Sequence, residues 1–274
     1  MRDLTKEDIY VRSGFETSWL TQLPKKHIGL NSKEFIASND KWLKIPATKV
    51  GGRALTVKSI YAHLNQQSLS NLNPNASHKT FTFITSFELS QNINKTNKFL
   101  GLFMTTIGDN WAVYLNGRLI RKEIYLDDEG NISKHRFMRD ILIQLDPNLL
   151  NQGTNILAFK IVGAINYEAT GFYSNQSYLI GDYETLSNKR TNLPSVVISF
   201  TYLILGIFFI FMYASRPKGL YNLMFGLSCL TLFVYLYSRT VLIQDYIIDS
   251  LIVTKIEYTG VYLFSTFAII FFDL

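Results

Sequence analysis

The sequence PSVVISFTYLILGIFFIFMY, residues 194–213, decides how the chain is organised. No charged residue occurs between Thr191 and Ser215. About 20 apolar residues in an α-helix rise by roughly 30 Å, which is the thickness of the hydrocarbon core of a bilayer. The stretch therefore predicts a membrane-spanning helix over residues 195–214.

Two further apolar stretches follow this helix. Residues 220–238 carry no charge and come after the short connector 215–219, whose proline and glycine end one helix and allow the chain to reverse. Residues 251–272 form the third stretch. We expect three membrane helices within residues 194–274, and the lipid bilayer is their expected partner.

Charge and cysteine content exclude several classes of protein. The net charge of +6 lies before the membrane part, because residues 194–274 contain equal numbers of basic and acidic residues. The basic excess is spread out, so we expect no nucleic-acid partner. The single cysteine, Cys229, excludes an intrachain disulfide and a cysteine-based zinc site. The four histidines are scattered, so we expect no metal site and no cofactor.

Alternating residues in the polar part predict strands. Residues 80–89 place mainly aromatic side chains at every second position, which is typical of a strand with one buried face. Asn116 and Gly117 lie between two strand-like runs and predict a hairpin with a type I′ turn.

Short strand-like runs recur at spacings near ten residues through the polar part and are separated by polar turns. We therefore predict a mainly β fold, an antiparallel jelly-roll sandwich over residues 55–188. Residues 1–54 are predicted to be an irregular segment that packs on this sandwich.

Two pairs of motifs resemble known families. Residues 109–117 (DNWAVYLNG) and 150–159 (LNQGTNILAF) resemble galactose-binding-like jelly rolls, including the sugar-binding domains of some glycosidases. Residues 178–186 (YLIGDYETL) and 255–258 (KIEY) resemble the bacterial seven-transmembrane receptors with diverse intracellular signalling modules.

The resemblance implies a galactose-binding-like jelly-roll sensor outside the bacterial inner (cytoplasmic) membrane, followed by transmembrane helices. The implied partners are a small-molecule or saccharide ligand, the remaining helices of the bundle and a signalling output domain. Only three helices and no output domain are in this sequence, so the chain is interpreted as a truncated receptor without catalytic activity. A homodimer is left open.

A second hypothesis is a membrane-tethered carbohydrate-binding or adhesion module that does not signal. Ligand binding changes the packing of the helices in a receptor and leaves it unchanged in a tethered module. The sequence lacks the common nucleophile, nucleotide-binding and metalloprotease motifs, so an enzyme is not expected.

The candidate ligand-binding residues are Trp111, Asp109, Arg118 and Tyr173. Trp111 could stack on a sugar, but its position at the start of a strand that leads into a tight hairpin favours a place in the core. Asn116 and Gly117 are interpreted as structural, because the turn requires them.

Three residues are candidates for coupling within the membrane: Arg239, Lys255 and Glu257. Lys255 and Glu257 are two positions apart and point to roughly opposite sides of a helix. Lys255 can reach the interface, whereas Glu257 needs a protein partner inside the membrane. Arg239 ends the second apolar stretch, on the same side of the membrane as the start of the third, so it is a reachable partner for Glu257. The alternative places Glu257 among lipid headgroups.

The basic connector 215–219 is expected in the cytoplasm, and the acidic connector 240–250 outside. This orientation places the polar part outside. The charged start of the chain, residues 1–10, lacks the apolar region of a signal peptide. We therefore expect an export signal or an anchoring helix encoded upstream of Met1.

Overall fold

The chain forms two compact units, Met1–Arg190 and Thr191–Leu274. The computed structural model describes residues 1–29, 41–45, 55–57, 60, 79–89, 99–164, 170–172, 177–190 and 193–274.

The first unit has thirteen strands in its described residues, arranged in two sheets. In chain order the strands are β1 (Arg2–Asp3), β2 (Ile9–Ser13), β3 (His27–Gly29), β4 (Trp42–Ile45), β5 (Leu55–Thr56), β6 (Lys79–Leu89), β7 (Leu100–Gly108), β8 (Asn110–Leu115), β9 (Arg118–Glu123), β10 (Met138–Leu145), β11 (Gly153–Gly163), β12 (Gly171–Phe172) and β13 (Tyr178–Asp182).

The first sheet is built around β7, which pairs with β10 on one side and with β13 and β12 on the other. The second sheet has the order β3-β4-β2-β6-β11-β8-β9. Every pairing that the structure describes is antiparallel except that of β3 with β4. The chain passes repeatedly from one sheet to the other, as in a sandwich, and the predicted mainly β class followed by helices is confirmed.

The core of this unit consists of side chains from both sheets. Phe81, Phe83 and Phe87 of β6 are at most 1% exposed, so the aromatic inner face predicted for residues 80–89 is confirmed. They join Leu102 of β7 and Trp111 of β8 in one cluster. Burial of these large apolar side chains is the main term that stabilises the sandwich.

The N-terminal segment, predicted to be irregular, contains four strands. β2 lies inside the second sheet, between β4 and β6. Its first three residues are all buried, because the face of the sheet that points away from the core is also covered. Tyr10 on that outer face packs with Leu20 of the 3-10 turn Thr17–Thr21. Burial on both faces removes the alternation that would have predicted a strand.

The predicted hairpin between β8 and β9 is present. Asn116 has φ of 49° and Gly117 has φ of 85°, the left-handed values that a type I′ turn requires. The Asn116 side chain donates to the Leu149 carbonyl at 2.7 Å and to Asn155 Oδ1 at 2.8 Å, and it accepts from the Ile156 amide at 2.8 Å. The turn residue thereby ties the hairpin to the start of β11.

A short helix that the sequence did not predict, α1 (Tyr183–Arg190), packs on the outer face of the first sheet. Its Leu186 is fully buried against Phe103 and Leu142. A Cβ at Gly101 would lie 3.1 Å from the Leu142 side chain and 3.3 Å from that of Leu186, so the glycine makes room for the helix. Only one of the eight residues of α1 is buried, so the helix has no apolar stripe. Without such a stripe the sequence does not predict the helix.

The second unit contains the helices α2 (Leu193–Ser215), α3 (Leu220–Ser238), α4 (Val241–Tyr246) and α5 (Ser250–Asp273). Three of its helices, α2, α3 and α5, are long and apolar enough to cross a membrane. Their bounds differ by at most two residues from the predicted 195–214, 220–238 and 251–272. The short α4 lies in the predicted connector.

Glycines set the spacing of these helices. A Cβ at Gly226 of α3 would lie 2.8 Å from the Ile210 side chain and 3.0 Å from the Gly206 carbonyl oxygen of α2. A Cβ at Gly260 of α5 would lie 3.0 Å from the backbone nitrogen of Tyr235 in α3. The backbones approach closely at both crossings, and packing of this kind through small residues is typical of membrane helices.

Gly226→Val is expected to open the α2–α3 crossing, because the new methyl groups meet backbone atoms that cannot move aside. Overpacking of this kind costs about 1–3 kcal/mol. The only cysteine, Cys229, is 4% exposed one turn away, so its maleimide labelling rate measures the opening. We expect a rise of roughly 5- to 150-fold. Val234→Leu, at a position 39% exposed on α3, should leave the rate unchanged; equal rates in both variants would contradict the packing role of Gly226.

Candidate functional site

Trp111, a candidate for sugar stacking, lies in the core of the sandwich. Its side chain is fully buried, and its Nε1 donates to the Arg136 carbonyl oxygen at 3.0 Å. The structure contradicts a stacking role, because no ring face is open to a ligand. The position of Trp111 at the start of a strand favoured a place in the core, and the structure shows Trp111 there.

Asp109 is also buried, with 1% of its surface exposed. Its Oδ2 lies 2.6 Å from His135 Nδ1, and its Oδ1 accepts from the Arg136 amide at 3.3 Å. Both carboxylate oxygens are therefore used within the fold, which contradicts the predicted role in ligand binding. Asp109 instead attaches the loop between β9 and β10 to the start of β8.

Next to Asp109 is a buried ion cluster formed by Glu123, Arg121 and Arg136, which the sequence did not predict. Arg136 Nε donates to Glu123 Oε2 at 2.8 Å, and Arg121 Nη2 donates to Glu123 Oε1 at 2.8 Å. Glu123 is 8% exposed and Arg136 is 6% exposed. Burial would raise the pKa of Glu123, but the hydrogen bonds from Arg136 and Arg121 outweigh it and hold that pKa below its ordinary value.

The remaining two ligand candidates do not join this cluster. Arg118 is exposed at the start of β9, beside the hairpin turn. Asp109 lies at the opposite end of β8, about 20 Å away for a strand of this length. Tyr173 lies outside the described residues. The structure therefore does not bring Asp109 and Arg118 together in one site.

A different site is present on the outer face of the second sheet. In the strand register, Arg12 of β2 and Lys160 of β11 are both paired with Thr82 of β6, one on each side. Lys160 is paired in turn with Ala112 of β8, and Ala112 with Lys122 of β9. We call Arg12, Lys160 and Lys122 the cationic row.

Aromatic rings flank the cationic row. The guanidinium carbon of Arg12 lies 4.1 Å from the ring centre of Trp19 and 5.9 Å from that of Trp42. Lys160 Nζ lies 4.7 Å from the ring centre of Phe15, which in turn packs against Tyr114. Contacts of this geometry between a cation and a ring face are favourable.

The described part of the chain supplies no carboxylate to Arg12 or Lys160. Among those same residues, Arg12 Nε is buried without a hydrogen-bond acceptor. Burial lowers the pKa of Lys160, and the charge of Lys122 lowers it further. By contrast, Lys44 on the same face is neutralised by Asp8 at 2.6 Å. The cationic row thus carries a positive charge that the described residues leave unbalanced.

The second unit brings Arg239 and Glu257 together. Arg239 Nη1 donates to Glu257 Oε1 at 2.8 Å and to the Tyr235 hydroxyl at 2.9 Å. Glu257 is 9% exposed, whereas Lys255 is exposed on another side of α5. The ion pair connects the end of α3 with α5, and Arg239 is the partner that the sequence suggested for Glu257.

The chain therefore combines a two-sheet β-sandwich with helices that could cross a membrane. No family model matches this sequence, and no curated protein matches it.

Several glycosidases superpose weakly on the chain. A β-glucuronidase from Ruminococcus gnavus has 14% identity, covers 59% of this chain and 21% of its own, and gives a TM-score of 0.30. A glycosyl hydrolase family 2 member from Bacteroides cellulosilyticus has 11% identity, 65% and 20% coverage, and a TM-score of 0.35. A β-glucosidase from Kluyveromyces marxianus has 10% identity, 68% and 18% coverage, and a TM-score of 0.33.

The match covers about a fifth of the length of these enzymes. Superpositions of this quality carry no argument about activity, so the function is inferred from the residues of this chain.

Proposed function

We propose that the chain is the sensor and first membrane part of a receptor, in which the β-sandwich binds a small ligand of the saccharide class and the helices respond to it. The observation that carries this proposal is the Arg239–Glu257 ion pair between α3 and α5. The alternative is a tethered binding module, whose helices do not respond.

The ion pair supports a response because it is an expensive way to hold two membrane helices together. Ionisable groups inside a membrane are costly and usually functional. In this pair the Glu257 side chain is 12% exposed and the Arg239 side chain 48%. Removing a carboxylate from water is costly even when it is paired, so the presence of Glu257 calls for a reason besides stability. An ion pair that can form or break gives the helix bundle two discrete arrangements, which a ligand can bias.

The cationic row supports ligand binding by the sandwich. Cations and aromatic rings converge on one face, which is how small-molecule sites combine apolar contact with a few oriented polar groups. We place this face outside a bacterial inner membrane, because the connector with Arg216 and Lys218 favours the cytoplasmic side. Further helices and a signalling domain are the proposed partners of the membrane unit, and a homodimer stays open.

The test uses the full chain in lipid nanodiscs. Titration with a panel of saccharides should show binding, and the bound saccharide should change the labelling rate of Cys229 on α3. The double variant Arg239→Gln/Glu257→Gln should keep saccharide affinity and lose the change in labelling. Arg216→Gln, in the connector, is the matched control and should respond like the unchanged protein.

Two results would contradict the proposal. Saccharide binding with an unchanged labelling rate would favour the tethered module. A lack of binding across the whole panel would remove the sensor role.

A further inference from the structure

We propose that the sandwich recognises an anionic saccharide, bound on the outer face of the second sheet over Arg12 and Lys160. This inference rests on the proposed sensor function and deepens it by naming the ligand class and its site.

The strand register fixes the distance between the two cations. Arg12 and Lys160 are neighbours of Thr82 on opposite sides, and adjacent strands lie about 4.8 Å apart, so their Cα atoms are about 10 Å apart. Residues paired across a sheet point to the same face. Thr82 between them is buried, and its hydroxyl donates to the Gly14 carbonyl oxygen at 2.6 Å. The two cations thus lie on the same face of the sheet, on either side of a buried threonine.

The positive charges of Arg12 and Lys160 favour an anionic ligand. Both cations are half-buried, and each lacks a carboxylate partner within the described residues. Lys122 extends the positive charge along the same row. Like charges at partly desolvated positions repel one another, and a bound anion would relieve that repulsion. The Lys44–Asp8 pair is the contrasting case, in which the chain supplies its own anion.

The rings beside the cations favour a sugar over a bare ion. Trp19 and Phe15 are half-buried, and each already lies against one cation of the row. Aromatic side chains offer large, rigid contact surfaces at low cost in conformational entropy. The guanidinium of Arg12 is a planar group whose N–H donors form a fork that matches the two oxygens of a carboxylate or sulfate. An acidic pyranose satisfies both kinds of group.

Calorimetric titration of the full chain in detergent micelles tests the inference with three probes: trigalacturonic acid, a sulfated galactotriose and neutral galactotriose. The acidic probes should bind at least tenfold more tightly than the neutral one, and their relative affinities distinguish carboxylate from sulfate recognition. Arg12→Met and Lys160→Met should each weaken acidic binding by about 10- to 100-fold, the worth of a lost charge-assisted hydrogen bond.

Lys134→Met is the matched control. Lys134 is also a cation near a ring, 5.9 Å from the centre of Tyr125, but it lies on the loop between β9 and β10. Its substitution should leave acidic binding unchanged. The urea midpoint of tryptophan fluorescence, measured on each variant, separates lost binding from lost folding.

The outcomes separate this inference from the proposed function. Equal binding of neutral and acidic probes, or full binding by folded Arg12→Met and Lys160→Met, would overturn the anionic site while a sugar-binding sensor stands. Absence of binding by all three probes and by the wider saccharide panel would remove the sensor itself. Tighter binding of a single-stranded oligonucleotide than of any saccharide would also overturn the inference.

Discussion

Trp111→Ala is expected to lower the free energy of unfolding of the sandwich by about 3–5 kcal/mol, the usual cost of truncating a buried tryptophan. The indole is fully buried in the cluster with Phe83 and Leu102, so alanine leaves a cavity between the sheets. The change also removes the donor that satisfies the Arg136 carbonyl oxygen at 3.0 Å. Urea unfolding of the full chain, followed by tryptophan fluorescence, measures the loss.

All three tryptophans lie in the first unit, so Trp19 and Trp42 still report unfolding in this variant. Trp111→Phe is the companion variant, because it keeps a ring and removes only the indole N–H. It should cost less, about 1–3 kcal/mol for the lost hydrogen bond to the Arg136 carbonyl oxygen. If Trp111→Ala left stability unchanged and abolished saccharide binding, the side chain would be a ligand platform after all.

Glu123→Ala is expected to cost about 3–5 kcal/mol of the same stability, because it removes the carboxylate that pairs with the buried guanidinium of Arg136. Arg136 is 6% exposed and donates from Nε to Glu123 Oε2 at 2.8 Å. Glu129→Ala, in the exposed loop after β9, is the control and should change stability by less than about 0.5 kcal/mol. Equal losses in the two variants would show that the ion cluster does not hold the loop.

The pH dependence gives a second measurement on Glu123. The pKa of Glu123 in the folded chain lies below its ordinary value of 4.5. The ion cluster therefore contributes fully to the stability of the fold at pH values above 4.5. The contribution is lost as the pH falls through the lowered folded pKa, because the protonated carboxyl no longer pairs with Arg136 and Arg121. Glu123→Gln should therefore lose less stability than the unchanged protein between pH 7 and pH 3. A parallel decline in both proteins would contradict this role.

The features that the sequence predicted well are local ones. Helices that are long and apolar enough to cross a membrane are visible as uninterrupted apolar stretches, and the boundaries of α3 agree with residues 220–238. The hairpin at Asn116 and Gly117 was predictable because a type I′ turn tolerates few other pairs. The inner face of β6 was predictable because one buried face leaves a two-residue period.

The features that the sequence missed depend on tertiary structure. β2 is covered on both faces, so its residues do not alternate, and residues 1–54 were predicted to be irregular. Asp109 is a candidate ligand-binding residue when only residue type is considered, but its contacts with His135 and Arg136 in the loop before β10 bury it. No local pattern indicates that Arg136 will meet Glu123.

The cationic row could not be read from the sequence at all. Arg12, Thr82 and Lys160 are far apart along the chain, and only the register of three strands places them side by side. A shift of one residue in any of these strands would turn its member of the row toward the core. Charge counting shows a net excess of +6, but it does not show which cations lie on one face of a sheet.

The bonds of Asn116 also bear on the chemical ageing of the protein. In a flexible chain, an asparagine followed by glycine deamidates readily. The glycine amide nitrogen attacks the side-chain carbonyl carbon and expels ammonia, and water then opens the resulting succinimide ring to aspartate or isoaspartate. Here the Asn116 amide group is held by the Leu149 carbonyl, Asn155 and the Ile156 amide, so it cannot turn toward Gly117. Isoaspartate at position 116 would therefore accumulate only in molecules that have lost the fold, and it would record how often the sandwich opens.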